Sequence, residues 1–357
     1  MSGRSADAQQ IRGRSGPMTT DVQLHTDGPV GRIVLDRPRA LNSLTHGMLL
    51  AVREALDAWA LDDAVAAVVL TGAGERGLCA GADIRALHDD AKLGGAGARA
   101  FFRDEYLLNH WISRYPKPYV AVMDGITMGG GVGLSAHGSV RVVTERSVVA
   151  MPETRIGLVP DVGGSHLLAH APGELGTHLA LTAASMSAAD ALLCGFADHF
   201  VPSAALAALT TSADPVAAVH AAATEAPESE LAAQRAWIDT CYAADTVEEI
   251  IDRLQSSGLP EAKEAAEQIL AKSPTALKVT LAALRRARHH RTLAETLDQE
   301  YRVSCTALTT PDLVEGIRAQ VVDKDRNPQW SPATLPEVTE AEVARFFAPL
   351  GDSELGC

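Results

Sequence analysis

The sequence predicts an α/β fold with a helical C-terminal region, and three observations carry that prediction. Short runs rich in β-branched residues alternate with helical stretches through about residue 201, the pattern of a parallel or mixed sheet covered by helices. Glycine-rich turns follow the apolar strands, and turns at strand ends are where α/β sheets build their sites. From Ser203 onward the chain is rich in Ala, Glu and Leu and reads as helices.

Along the chain, residues 1–20 are polar, with the Ser, Gly and Arg content of a disordered lead-in, and lack the apolar stretch of a secretory signal. Gly31–Asp36 (GRIVLD) reads as a strand, and Arg37–Leu44 (RPRALNSL) turns the chain toward a helix over Thr45–Ala60. In that helix Leu49, Val52, Leu56 and Trp59 recur at three- and four-residue intervals, forming one core-facing stripe. Val65–Thr71 is a buried strand that ends in TGAGERG, with LCAGADI after it. A longer helix near Ala98–Ser113 precedes Pro116 and Pro118, and a second buried strand, Tyr119–Met123, runs into DGITMGGGVGLSAHG. Short strands at Val140–Thr144 and Ser147–Ala150 lead to MPETRIGLVPDVGG. In the C-terminal region Ser273–Ala287 is the clearest amphipathic helix.

With 357 residues, 46% hydrophobic and 21% charged, the chain can bury a full core as one or two domains. No apolar run nears the roughly 18 residues that cross a bilayer, so no membrane partner is expected. The formal charge of −14 repels nucleic acid and anionic lipid at long range, so an anionic ligand must meet local basic residues. Five cysteines, Cys79, Cys194, Cys241, Cys305 and Cys357, are scattered without CxxC or His-paired metal spacing. That fits free thiols in a reducing, cytoplasmic compartment, and no metal site is predicted. A homo-oligomeric state is left open.

Two glycine-rich turns are candidates for chemistry. In Cys79–Ile84 (CAGADI), Gly81 lets the backbone approach a ligand and the amide of Ala82 can point at it. In Gly129–Gly133 (GGGVG), three glycines precede a helix whose first amides lack internal partners and carry the positive end of the dipole. Two such amides converging on one carbonyl oxygen would make an oxyanion hole, where losing a donor costs about 3–4 kcal/mol. Taken singly, each cluster reads first as a tight structural turn. Neither GxGxxG nor GxxxxGK[ST] follows a strand, which disfavours a dinucleotide or phosphate loop.

Three acids complete the candidates. Glu105 falls in an apolar stripe with Phe101, Leu108 and Ile112, where a buried carboxyl needs a partner or a raised pKa; the plain alternative is a partly exposed Glu beside Arg103. Glu153 and Asp161 lie in PETRIGLVPDVGG, a stretch broken by Pro152, Pro160 and two glycines. Two carboxylates in such a turn can divide labour, one attacking or acting as base and the other holding substrate. A helix cap and a solvated acid would explain them as well.

Read together, RPRALNSL, GLCAGADI, KPYVAVMDGITMGGGVGLSAHG and MPETRIGLVPDVGG resemble the crotonase superfamily from about residue 22 to 202. The resemblance implies a crotonase-like fold of repeated ββα units and an acyl-CoA substrate. No separate cofactor is implied, since coenzyme A is part of that substrate. It assigns Ala82 and Gly130 as oxyanion donors beside Gly81 and Asp83, with Arg39, Ala40 and Leu41 along the coenzyme A passage. Enoyl-CoA hydratases place one catalytic Glu three residues after the middle glycine and another twenty residues later; here the first position is Gly133 and the second is Glu153. That departure puts two-acid water addition in doubt. FFRDEYLLN with Glu105, PETRIGLVPDVGG with Glu153 and Asp161, and the run from Glu300 to Thr339 are similar to 3-hydroxyisobutyryl-CoA hydrolases. They imply thioester hydrolysis with Glu153 as nucleophile or base, Asp161 and Glu105 on the substrate hydroxyl, and Lys324 toward the nucleotide. The expected organisation is a lead-in over 1–20, a core carrying the site over 21–202, and a helical region over 203–357 completing the CoA site. An enoyl-CoA hydratase or isomerase is the competing activity, and an acyl-CoA-binding protein without catalysis the non-enzymatic one.

Overall fold

The computed structural model describes residues 20–357, so the expected lead-in lies, apart from Thr20, outside the described residues. In chain order the strands are β1 (Val22–Asp27), β2 (Val30–Leu35), β3 (Ala67–Gly72), β4 (Gly77–Cys79), β5 (Tyr119–Met123), β6 (Ile126–Met128), β7 (Val140–Val143), β8 (Val148–Ala150), β9 (Ser185–Met186) and β10 (His199–Phe200). A large sheet runs β1-β2-β3-β5-β7-β10 and a small one β4-β6-β8-β9. The hairpin β1–β2 is antiparallel, as is β8–β9, and the other pairings are parallel.

Three successive strand pairs, β3–β4, β5–β6 and β7–β8, each give their first strand to the large sheet and their second to the small one. Helical chain follows each pair: α2 (Ile84–Ala91) and α3 (Ala96–Ser113) after β4, α4 (Gly130–Ser135) after β6, and the 3₁₀ turn Glu153–Ile156 after β8. These are the repeated ββα units that the resemblance implies. Their consequence for function is positional. The chain leaves three neighbouring parallel strands at the same edge of the small sheet, with Cys79 beside Thr127 and Met128 beside Ala150. Ala82, Gly130 and Glu153 therefore emerge side by side, two or three residues beyond those strands.

Packing explains why the strands read as apolar without alternation. One face of the large sheet, with Ile33, Leu35, Val68, Leu70 and Ala121, joins the main core. The opposite face, with Val30, Val69, Val120 and Val142, is covered by Leu209 and Val219 from the helices Leu206–Thr210 and Pro215–Ala222. A parallel sheet buried on both faces needs apolar residues at every position. Helix α1 (His46–Leu61) is capped by the Thr45 hydroxyl, which accepts from Met48 N–H, and buries Leu49, Val52, Leu56 and Trp59 as the stripe predicts. A Cβ at Gly31 would lie 2.6 Å from the Trp59 ring, so the strand carries glycine where the indole crosses it.

Some elements depart from the expectations. Strand β1 was not predicted; its sequence VQLHTD is largely exposed and carries a weak apolar signal. Strands β4 and β6 have three residues each, too few for periodicity to register, and α2 opens on an Asp83 cap inside a stretch read as a turn. Beyond Ser203 the chain is helical, as expected, and Ser273 caps the helix Pro274–Ala287.

Candidate active site

The turn after β4 is stitched to the RPRALNSL segment. Ala80 N–H donates to Leu41 O at 3.0 Å, Leu44 N–H to Gly81 O at 2.8 Å and Asp83 N–H to Leu44 O at 2.9 Å. This ladder uses the amides of Ala80 and Asp83, Gly81 N–H turns back to Cys79 Sγ at 3.4 Å, and Ala82 N–H is left without an acceptor among the described residues. Gly81 sits at φ +98°, and a Cβ there would be 3.5 Å from Gly130 N. Glycine thus supplies both the left-handed turn and the close approach of two strand ends. At the start of α4, Gly130 N–H also has no acceptor among the described residues. The Cβ position of Gly130 is 3.6 Å from Ala82 N. Two free amides from adjacent strand ends therefore face one small volume.

That volume opens into a cavity of about 250 Å³. Ala82, Gly130, Glu105, Glu153 and Asp161 line it together with apolar side chains, among them Leu87, Phe102 and Leu158. Leu313 and Gln320, from the C-terminal region, also line it. A Cβ on Gly129 would meet Glu153 Oε1 at 2.9 Å, and one on Gly130 would overlap Glu105 Oε1. Both carboxyls are thus packed against the glycines of the turn that opens α4.

Burial governs the electrostatics. Glu105 is 1% exposed, Glu153 6% and Asp161 5%, which excludes the partly exposed Glu105 and the solvated acid. Desolvation and then the charge of Asp161 hold the Glu105 carboxyl well above the usual carboxylate range. Glu153 is pushed well up by burial and then by Asp161. Asp161 rises to about 6 through burial, opposed by its hydrogen bond from Tyr106. Tyr106 Oη donates to Asp161 Oδ2 at 2.6 Å and lies 2.7 Å from Ser304 Oγ. With its one proton directed at Asp161, Tyr106 accepts from the Ser304 hydroxyl. Glu300, pushed to about 8 by burial, accepts from Gly163 N–H at 2.7 Å and Ser165 N–H at 3.0 Å, closing the loop that carries Asp161.

The remaining expected residues sit elsewhere. Asp83 is engaged as the α2 cap and by Arg37 at 3.1 Å. Arg39 and Ala40 are exposed in a 3₁₀ turn, and Leu41 ends it with left-handed backbone. Lys324 is exposed with φ +61° and is not among the cavity residues. Position 133 is closed: a Cβ there would be 2.7 Å from Val162 Cβ and 2.8 Å from Asn109 Nδ2. Tyr106, Asn109, Glu300 and Ser304 were not singled out. Asn109 shares the Glu105 signal, a polar residue four positions along one apolar helical stripe. Tyr106, Glu300 and Ser304 act across long separations that spacing does not reveal. Among the described residues no acid, His or Cys cluster suits a metal ion.

A family model described as enoyl-CoA hydratase/isomerase matches residues 30–347. This chain belongs to that family. Within it, the chain is 40% identical to the 3-hydroxyisobutyryl-CoA hydrolase, mitochondrial, of Rattus norvegicus, an alignment covering 97% of this chain and 94% of the relative. It is 41% identical to that of Homo sapiens, covering 94% and 90%. Among solved structures, a carnitinyl-CoA dehydratase from Mycobacterium thermoresistibile is 56% identical with a TM-score of 0.92, covering 94% of this chain and 98% of its own. An enoyl-CoA hydratase from Rhodobacter sphaeroides 2.4.1 is 43% identical with a TM-score of 0.88, covering 94% and 99%. The family membership and the crotonase fold agree with the resemblance read from the sequence.

Proposed function

We propose that this protein hydrolyses 3-hydroxyisobutyryl-CoA to 3-hydroxyisobutyrate and CoA, a step of valine breakdown. The observation that carries this reading is the closed space at position 133 beside three retained acids. Water addition to an enoyl-CoA by an acid pair lacks its second acid and has no room for one. Thioester hydrolysis needs less: a polarised carbonyl, one nucleophile or base, and a departing thiolate. Ala82 and Gly130 amides donate to the thioester oxygen. Ionised Glu153 either attacks the carbonyl carbon, giving an anhydride that water opens, or takes the proton of an attacking water; in both routes the C–S bond breaks and CoA leaves as thiolate. Asp161 and Glu105 hold the 3-hydroxyl, and polar groups buried for that purpose reject a substrate lacking it. The chemistry calls for no metal and no separate cofactor.

The 40% identity to hydrolases over nearly the whole chain supports this reading. The two solved relatives, described as a dehydratase and a hydratase, favour a lyase acting on a CoA ester as the second reading. The five unpaired thiols support a reducing compartment such as the cytoplasm; the curated relatives are named mitochondrial. The test follows thiol release and enoyl absorbance in parallel. Wild type is expected to release CoA from 3-hydroxyisobutyryl-CoA and to hydrate crotonyl-CoA very poorly, and Glu153→Gln to lose about 100-fold or more in turnover with CoA binding retained. Efficient crotonyl-CoA hydration, or near-normal release in Glu153→Gln, refutes the hydrolase.

A further inference from the structure

Asn109 lies four residues after Glu105 on α3, so the two side chains stack on one face of that helix. Each rests against a glycine of α4: Glu105 Oε1 at the Cβ position of Gly130, and the Asn109 carboxamide 2.8–3.1 Å from that of Gly133. Asn109 is 0% exposed. Among the described residues it is the only side chain in which two buried polar atoms, Nδ2 and Oδ1, both lack a protein partner, and Glu105 Oε1 lacks one as well. The two groups therefore do not bond each other directly. Residues four apart on a helix have Cβ atoms about 5–6 Å apart, a span that one water bridges with two hydrogen bonds of ordinary length. Val162 closes the recess at 2.7 Å from the same Gly133 position. Buried amides are nearly always bonded, and a recess lined by a carboxamide and a carboxyl is polar enough to hold water.

We propose that Asn109 is a positioning residue: through one buried water it orients the Glu105 carboxyl toward the substrate. A side chain at Gly130 or Gly133 would displace Glu105 or Asn109, which gives the glycines of α4 a role apart from the amide of Gly130. The inference rests on the reading that Glu105 contacts the substrate hydroxyl.

The experiment compares Asn109→Leu, Asn109→Ser and Glu105→Gln on 3-hydroxyisobutyryl-CoA and isobutyryl-CoA across pH. Leu matches Asn in branching and heavy-atom count, though it is bulkier, and it removes the bridge. It should lower kcat/KM on the hydroxylated substrate about tenfold or more while sparing isobutyryl-CoA, and should raise the pH limb that Glu105→Gln abolishes, since a drier carboxyl ionises later. Ser keeps a hydrogen-bonding group and admits a second water, so it should stay within about threefold of wild type. A crystal structure of the wild type should show an ordered water within hydrogen-bond reach of both side chains, and this measurement stands whether or not Asn109→Leu folds. Equal losses on both substrates with an unmoved pH limb, or no such water, overturn the proposal. If Glu105→Gln impairs hydrolysis and Asn109→Leu does not, the positioning role alone falls. If Glu105→Gln affects neither substrate, the reading of Glu105 falls and the positioning role with it.

Discussion

Asp161 sets the charge state of its neighbours. With its own pKa at about 6, it is ionised at neutral pH, and its charge is the second cause, after burial, of the raised Glu105 and Glu153. A base or nucleophile must lose its proton, so activity should rise with pH through the ionisation of Glu153, above the usual carboxylate range. Replacing Asp161 by Asn removes a charge that raises Glu153. The acid limb of kcat/KM should therefore move to lower pH even as the maximal rate on 3-hydroxyisobutyryl-CoA falls; a limb that disappears would show that Asp161 itself is the titrating base. Desolvation persists in the variant, so the limb should stop short of an ordinary Glu value. At this scale the sequence shows part of the site. Glu105 is legible because a carboxyl in an apolar stripe is anomalous, and Glu153 and Asp161 because prolines and glycines rigidify their loop. Tyr106 is illegible because its partner lies 55 residues away, and Asn109, although it sits in the same apolar stripe as Glu105, because an uncharged amide stands out there less than a carboxyl.

Elements matter through what they hold in place. The loop bearing Asp161 leads into α5 (Gly164–His170), and its amides at Gly163 and Ser165 are bound by Glu300 from the helix Leu293–Ala307. Ser304, one turn along that helix, bonds Tyr106 and through it Asp161. One helical face thus fixes the loop from two sides. Glu300→Ala orphans two buried amides, each worth about 1–3 kcal/mol, offset in part by the raised pKa of the acid itself. Thermal unfolding should show a net loss of about 2–4 kcal/mol, with kcat reduced more than KM, because the loop that orients Asp161 loosens while the apolar cavity wall stays. Unchanged stability would mean that other groups hold the loop. The long elements were legible: α1, α3 and β5 fall within about two residues of where periodicity puts them. Strands β4 and β6 were not, since three residues bury too little for a pattern, yet they place Ala82 and Gly130. The glycines after them marked the spot that the strands themselves could not.

The whole molecule joins its two compositional regions through one core. The main apolar cluster runs from Val22 to Leu355 and takes Leu277, Leu284, Leu297 and Tyr301 from the helical region alongside Ile33, Leu70 and Phe102. The helices of this region bury their apolar faces against that core, and within the described residues no helix is long and apolar enough to cross a membrane. They also reach the site: Leu313 and Gln320 line the cavity, and Glu300 and Ser304 hold the Asp161 loop. The boundary near residue 202 visible in the composition is thus crossed by packing, by hydrogen bonds and by the cavity wall. The sequence shows the change in composition but not the contacts, because apolar helical stripes do not reveal their partners. A chain ending at Pro202 would expose the surface that those helices cover, and net stability is a small difference of large terms. We expect residues 1–202 alone to keep helical far-ultraviolet dichroism, lose near-ultraviolet dichroism and bind a hydrophobic dye, the signature of a compact state without fixed packing. The fragment should bind no acyl-CoA and release no thiol. Cooperative unfolding of residues 1–202, with near-ultraviolet dichroism matching the full chain, would show instead that the core carrying Ala82, Gly130 and Glu153 folds by itself and that the helical region only completes the cavity.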